Sequence, residues 1–354
     1  MEFLFANYFG FFWLSLIPVI KKTFLTRFEP LRFTLKQFSL IEIYFLVVFF
    51  FSAVIFRSGH DLLLLLKNYF SFLVFLFFFH KEEKYLSPEY LNKILRLVVR
   101  VSILEFGLIN LIPITKNYFL NYSNIYSFRN YEAFYLGFYE RPQGVVGQYT
   151  QTSFLLFTLF ILLFSRTTVL WKLKDKLFFF FSIIIFSSGL TYIGLATYGA
   201  FLAYKNSPKT LAIFLISLTF TYIAIYYIYD INAHFHGPLI KISPQYISSV
   251  GSFKINQLTT LIKSYKNLVP LFWGNEIAIG DDFGALEIIK NLGIVGSAAY
   301  FYIIWKLCRK IVIWFLLILS LFHYSLFFSP LGNMCLAFAI LFANQNCPQK
   351  NSGP

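Results

Sequence analysis

The chain has 354 residues, of which 58% are hydrophobic and 13% are charged, and its formal net charge at pH 7 is +14. Soluble globular domains carry about 25% charged residues, so this composition, with a mean hydropathy of +0.66, excludes an ordinary water-soluble domain. It predicts an all-α fold, a polytopic transmembrane helix bundle in which residues 1–354 form a single integral membrane domain.

Apolar stretches long enough to cross a bilayer follow one another along almost the whole chain. About 20 apolar residues cross a hydrocarbon core roughly 30 Å thick. On this basis we predict about eleven spans, within a range of ten to twelve. The predicted spans lie near residues 3–19, 38–56, 62–79, 94–113, 151–165, 177–188, 189–204, 209–229, 284–305, 309–324 and 330–343.

The block 177–204 is too short for two full spans and long for one. Lysines precede it within residues 172–176 and follow it at residues 205–209, so the positive-inside rule places both of its ends in the cytoplasm. A short hairpin or re-entrant pair, broken at Ser187–Gly189, meets that requirement if protein surrounds the break.

The basic residues also predict the orientation of the other segments. Loops assigned to the cytoplasm hold 18 Lys and Arg, whereas the longer loops assigned to the outside hold 8. Two long loops, 114–150 and 230–283, are therefore predicted to be extracytoplasmic. Topology and contact with anionic membrane lipid account for much of the positive charge, so no nucleic-acid partner is predicted.

The first long loop combines aromatic rings with amide and guanidinium groups. Tyr139, Arg129 and Gln143 represent these three groups. Such a mixture suits a sugar, whose C–H face stacks on rings while its hydroxyls need donors and acceptors. The alternative is an interfacial aromatic belt in a protein that is rich in Tyr and Phe throughout.

Arg141 lies just ahead of the fifth predicted span, where Pro142, Gly144 and Gly147 predict a tight turn at the membrane surface. A guanidinium held there is a good diphosphate ligand, because its planar fork pairs with two phosphate oxygens. The alternative is that Arg141 only anchors the span at the interface.

Glu105 is an acidic residue inside the fourth predicted span. A carboxylate at that depth is costly, so it requires a partner or a polar cavity. Lys67, in the third predicted span, is a plausible partner by depth. Such a pair would be structural, or it would belong to a proton or substrate pathway.

Four motifs follow in order between residues 129 and 305. They are an Arg-x-x-Gly turn before a span, a Ser- and Gly-rich helix break, a loop in which a basic residue and a short amphipathic helix precede a Phe-x-Gly turn, and an Asp element leading into a Gly-Ile-x-Gly span. The residues that carry them are Arg141–Gly144, Phe186–Thr191, Ser252–Gln257 with Leu271–Glu276, and Asp281–Leu286 with Asn291–Gly296. Because these four motifs occur in this order, the chain resembles the O-antigen polymerase and ligase superfamily.

The resemblance implies a multi-pass glycosyltransferase of the cytoplasmic (inner) membrane that works on its outer face. Such an enzyme polymerises undecaprenyl-diphosphate-linked oligosaccharide repeat units into O-antigen (the lipopolysaccharide glycan), capsule or exopolysaccharide. It needs no metal and no other cofactor, and a chain-length regulator protein is a potential partner.

The resemblance also suggests roles for individual residues. Arg141 matches the place of the residue that binds the diphosphate leaving group, within a turn that includes Gln143 and Gly144, and Lys254 could supplement it. Asp282 or Asp281 fits the group that positions or deprotonates the acceptor hydroxyl.

Two other functions remain open from the sequence. The ligase branch carries a His-Asn element where this chain has Asp282-Phe283, which favours a polymerase over an O-antigen ligase. A flippase or transporter of lipid-linked oligosaccharides would have repeated halves and short loops, and the sequence shows neither. The three cysteines have no metal-ligand spacing, so no zinc site is predicted.

Overall fold

The computed structural model describes residues 65–79, 87–112, 114, 141–142, 144–145, 149–166, 171–231, 244–264, 268–274, 283–322, 326–328 and 330–344. These residues are almost entirely helical, and no strand occurs among them, which confirms the all-α class for this part of the chain. The α-helices are α1 (Ser71–Phe79), α2 (Pro88–Leu111), α3 (Tyr149–Arg166), α4 (Leu173–Phe186), α5 (Gly189–Asn206), α6 (Pro208–Ile231), α7 (Pro244–Ser264), α8 (Leu268–Trp273), α9 (Gly284–Leu307), α10 (Ile311–Leu321) and α11 (Pro330–Asn344).

Four helices begin at a proline that follows a serine in the sequence, namely α2, α6, α7 and α11. Proline suits the first helical position because its missing N–H would have no partner there, and serine is a good N-cap. In α2 the Ser87 hydroxyl accepts the N–H of Tyr90 at 3.1 Å, and in α6 Ser207 accepts the N–H of Thr210 at 3.1 Å. These helix starts are therefore encoded locally.

The helix break predicted at Ser187–Gly189 is present between α4 and α5. Ser187 adopts a left-handed conformation, with φ at 46°, and its N–H bonds the carbonyls of Ile183 and Ile184. Helix α4 has 14 residues and is therefore about 21 Å long, shorter than a hydrocarbon core. Membrane placement of this pair stays a prediction.

The described residues fall into two compact units, each built from separated segments of the chain. The first unit takes those within Met1–Ile94, Thr158–Leu170 and Tyr265–Pro354, and the second takes those within Leu95–Phe157 and Trp171–Ser264. Helices α2 and α3 each contribute residues to both units. The predicted single membrane domain over residues 1–354 stays a prediction.

In the first unit, α1 and α11 pack around a buried asparagine. A π-helical turn, Leu66–Phe70, leads into α1 and disturbs its regular hydrogen bonding. Asn333 of α11 is fully buried and supplies the missing hydrogen-bond partners. Its Oδ1 accepts the N–H of Phe72 at 3.1 Å, and its Nδ2 donates to the carbonyls of Asn68 and Phe327. An apolar environment requires such pairing of backbone groups.

In the second unit, short contacts join α3 to α5, α2 to α4 and α5 to α6. Ser153 of α3 donates to the hydroxyl of Thr191 in α5 at 2.8 Å. Arg96 of α2 lies 3.1 Å from the Asp175 carboxylate of α4. Small side chains allow helices to approach closely in membrane proteins, and Gly199 of α5 accordingly lies against the Phe214 ring of α6.

Two of the described helices, α6 and α9, are long and apolar enough to cross a membrane. The apolar stretches of α3, α10 and α11 are shorter. In α6 only 6% of the most apolar stretch is buried, against 44% in α9. The spans predicted near residues 3–19 and 38–56 lie outside the described residues.

The two predicted loops differ in how much of them is described. Most of 114–150 lies outside the described residues. The segment 230–283 contains α7 and α8, and α7 has 21 residues, longer than the short amphipathic helix that the sequence suggested. The Ser-Pro pair explains where α7 begins, and apolar residues at helical spacing continue to its end, which explains its length of 21 residues.

Candidate functional site

The best-defined candidate site is the turn that carries Arg141, immediately before α3 in the second unit. Arg141 is only 2% exposed. Its guanidinium carbon lies 3.6 Å from the centre of the Tyr149 ring, at the first residue of α3. This is cation–π geometry, and such contacts are strongest where water is excluded. The aromatic face therefore helps to hold a buried positive charge in one place.

Gly144 shapes the same turn. Its φ of 72° lies in the left-handed region, and a Cβ at this position would overlap the Thr152 side chain. Its N–H donates to Oε2 of Glu105 at 2.8 Å. Glycine is required here for two reasons: a side chain would strain the left-handed backbone, and its Cβ would collide with Thr152 of α3.

Glu105 is 4% exposed in α2, and the sequence predicted that such a carboxylate needs a partner. The structure supplies one in the backbone N–H of Gly144. The side chain of Lys67, the partner suggested by depth, lies outside the described residues. The contact ties the turn at Gly144 to α2, because a buried N–H and a buried carboxyl oxygen would each cost free energy without a hydrogen-bond partner.

Short contacts around one turn therefore link Arg141, Tyr149, Gly144 and Glu105, of which all but the partly exposed Tyr149 are buried. We call these four residues the Arg141 turn. Chemically, it offers a buried guanidinium held against an aromatic ring, in a turn whose backbone binds a carboxyl group. A guanidinium pairs well with phosphate oxygens, and a low-dielectric setting strengthens the attraction.

The other predicted site residues are less fully described. Gln143, Arg129, Tyr139, Asp281 and Asp282 lie outside the described residues. Lys254 is half-buried on α7, in the second unit. Of the predicted set, the structure therefore brings Arg141 and Gly144 together.

In the first unit, the structure brings together two segments that the motif pattern had singled out. Gly274 ends α8 with φ at 74°, and Gly293 interrupts α9 with φ at 67° and ψ at 179°. The carbonyl oxygen of Phe272 and the amide nitrogen of Gly274 occupy the space that a Cβ on Gly293 would take. The Phe-x-Gly turn and the Gly-Ile-x-Gly helix are thus in backbone contact.

Polar side chains surround the break in α9. Ser297 donates to the carbonyl of Gly293 at 2.6 Å, which satisfies a group that the break would expose. Asn291 is 3% exposed and donates to the Tyr69 hydroxyl at 2.6 Å. Glu287 is 8% exposed and lies four residues before Asn291, so the two share a helix face.

Sequence reasoning did not select Glu287 or Asn333 as site or structural residues, and it gave Asn291 only as the first residue of a motif segment. A usable signal was present, since all three are polar side chains inside long apolar stretches. Polar residues in such stretches face protein or a polar cavity.

Within the described part of the chain, no group of three or more His, Cys, Asp or Glu residues is arranged to hold a metal ion. Cys308 and Cys335 are buried free thiols. Burial raises the pKa of the Cys308 thiol, and the backbone hydrogen bond and charge of Lys310 offset part of this effect. A raised pKa keeps the thiol protonated and unreactive near pH 7.

The described part of the chain is thus helical, with two helices long and apolar enough to cross a membrane and a turn that holds a buried arginine. The chain matches no protein-family model, no curated protein and no solved structure. The resemblance to the O-antigen polymerase and ligase superfamily therefore depends on the motifs of this sequence.

Proposed function

We propose that the chain polymerises undecaprenyl-diphosphate-linked oligosaccharide repeat units into O-antigen, capsule or exopolysaccharide on the outer face of the cytoplasmic membrane. The observation that carries this proposal is the Arg141 turn. A guanidinium lies against the Tyr149 ring, in a turn whose Gly144 N–H binds Glu105, at the position of the Arg-x-x-Gly motif.

The chemistry of repeat-unit transfer explains why such an arginine supports the proposal. When the sugar–phosphate bond of the donor breaks, negative charge grows on the diphosphate leaving group. A cation already held in position stabilises that charge without having to reorganise. In this proposal Arg141 binds the diphosphate, Lys254 adds positive charge, and Asp282 or Asp281 orients or deprotonates the acceptor hydroxyl.

The proposal includes a membrane bundle of about eleven spans with both long loops outside. The distribution of Lys and Arg supports this orientation, and the break between α4 and α5 supports a short hairpin that returns to the cytoplasm. The two helices able to cross a membrane are consistent with this arrangement.

Reporter fusions test the orientation. We expect fusions at Asn124 and Ser249 to be active only with a reporter that works outside the cytoplasm, because both sites lie in segments poor in Lys and Arg. A fusion at Lys174, in a predicted cytoplasmic loop, is the control and should show the opposite pattern. Cytoplasmic-reporter activity at Asn124 or Ser249 would overturn the topology.

Deletion of the gene tests the reaction itself. If the chain is a polymerase, the deletion strain should attach single repeat units to the final acceptor, because making and flipping one unit do not need it. Gel analysis of the surface glycan and of the lipid-linked pool measures this. Full-length polymer that stays on the carrier lipid would instead identify a ligase. The absence of both surface glycan and lipid-linked repeat units on the outer face of the membrane would identify a flippase. Normal chain length would reject all three.

A further inference from the structure

Helix α7 presents four arcs around its axis, of which the one that holds Ser249, Phe253 and Thr260 is exposed and mixed in polarity. Successive residues of an α-helix are about 100° apart, so one face holds Val250, Gln257 and Leu261, and this face contacts protein: Leu261 is 8% exposed. A second face is polar and exposed, with Ser252, Asn256, Thr259 and Lys263. The third face separates these two and is apolar.

The third face remains exposed although it is made of large aliphatic side chains. Ile247, Ile255, Leu258 and Ile262 fall within an arc of about 80° around the helix. They are 49%, 65%, 41% and 65% exposed, respectively. We call these four residues the α7 stripe. In water such a continuous apolar row would be unfavourable, so its exposure indicates a non-aqueous neighbour.

Charge and position indicate which neighbour this is. Pro244–Ser264 contains Lys254 and Lys263 and no Asp or Glu, so the helix is net cationic. Helix α7 also begins soon after α6, which ends at Ile231 and can cross a membrane. A cationic helix with an apolar stripe, tethered close to the end of a span, has the features of an interfacial helix that binds anionic lipid.

We propose that α7 lies along the outer surface of the membrane. The α7 stripe then lies in the boundary between headgroups and acyl chains, and the polar face with Ser252, Asn256, Thr259 and Lys263 is directed towards water. The choice of the outer surface rests on the topology in the proposed function, whereas contact between the stripe and lipid depends neither on that topology nor on the polymerase reaction. This contact would fix one side of α7 at the boundary between headgroups and acyl chains.

Site-specific fluorescence in the full chain tests this placement. Single cysteines are introduced at Ile255 and Ile262, in a background where Cys308, Cys335 and Cys347 are replaced by alanine. Asn256→Cys and Lys263→Cys are matched controls, since each is adjacent to a stripe position and is also exposed but lies on the polar face. Each variant is labelled with the fluorophore NBD and reconstituted in vesicles of phosphatidylethanolamine and phosphatidylglycerol.

We expect the labels at Ile255 and Ile262 to emit at shorter wavelength and to lose fluorescence when acyl-brominated lipids are included. The labels at Asn256 and Lys263 should instead be quenched by aqueous iodide. Equal quenching by iodide at all four sites would show that the stripe faces water. Protection of the stripe from both quenchers would show that protein, such as a second copy, covers it. Either result overturns the proposal, whatever the deletion strain shows about polymerisation.

Discussion

Replacing Arg141 with alanine should reduce polymer formation by about 10²- to 10³-fold, which is the usual cost of removing one electrostatic contact to the transition state. The guanidinium lies out of water against Tyr149, so its attraction to a developing negative charge is weakly screened. Because that charge grows as the donor bond breaks, the loss should exceed any loss of substrate binding. Repeat-unit polymerisation in membranes, normalised to protein level, measures it.

Two further variants separate catalysis from folding. Arg141→Lys keeps the charge but lacks the planar fork, so we expect partial recovery of polymer at a normal protein level. Arg166→Ala is the control: Arg166 is the last residue of the same helix, 17 residues after Tyr149, and it should tolerate the change. Polymer close to the wild-type amount from Arg141→Ala at normal expression would reduce Arg141 to an interfacial anchor.

Replacing Gly293 with alanine should strongly reduce the yield and the melting temperature of the folded protein. Its φ of 67° and ψ of 179° belong to a region that essentially only glycine occupies, which alone costs about 1–3 kcal/mol for another residue. The added methyl group would also meet the backbone of Phe272 and Gly274, which cannot move as a side chain can. Thermal unfolding in detergent, followed by size-exclusion chromatography, measures the effect.

Gly251→Ala is the matched control for this prediction. Gly251 lies within α7, and a Cβ there would meet no atom within 4 Å. Alanine is the better helix former by about 1 kcal/mol, so this variant should melt at the same temperature or higher. If the Gly293→Ala variant had the same melting temperature as the wild type, the contact between the Phe272–Gly274 turn and the break in α9 would not be needed for stability.

Several features of the candidate site follow from local sequence. Pro142 and Gly144 predicted a turn, and Gly144 does adopt a conformation that favours glycine. The break at Ser187–Gly189 was also predicted, because the basic residues on both sides of the apolar block required the chain to return to the same side. Backbone preferences and charge bias act over a few residues, so one sequence is enough to detect them.

Partners of buried polar groups could not be predicted in the same way. The described contact of Glu105 is to the backbone of Gly144, 39 residues away, which the sequence did not indicate, and the pairing of Glu105 with Lys67 stays a prediction. Arg96 and Asp175 likewise pair across 79 positions of sequence. Depth in a membrane fixes one coordinate of a residue, whereas a hydrogen bond depends on all three and on the orientation of each group.

The sequence by itself determined the helical class of the described residues and several helix starts and breaks, because composition, capping and hydrophobic length are local properties. Only the tertiary structure decided that Arg141 is buried against Tyr149, that Asn333 satisfies the π-helical turn before α1, and that the Phe272–Gly274 turn fills the space beside Gly293. These contacts join residues far apart in the chain, and their geometry is set by packing of whole helices rather than by the preferences of any short segment.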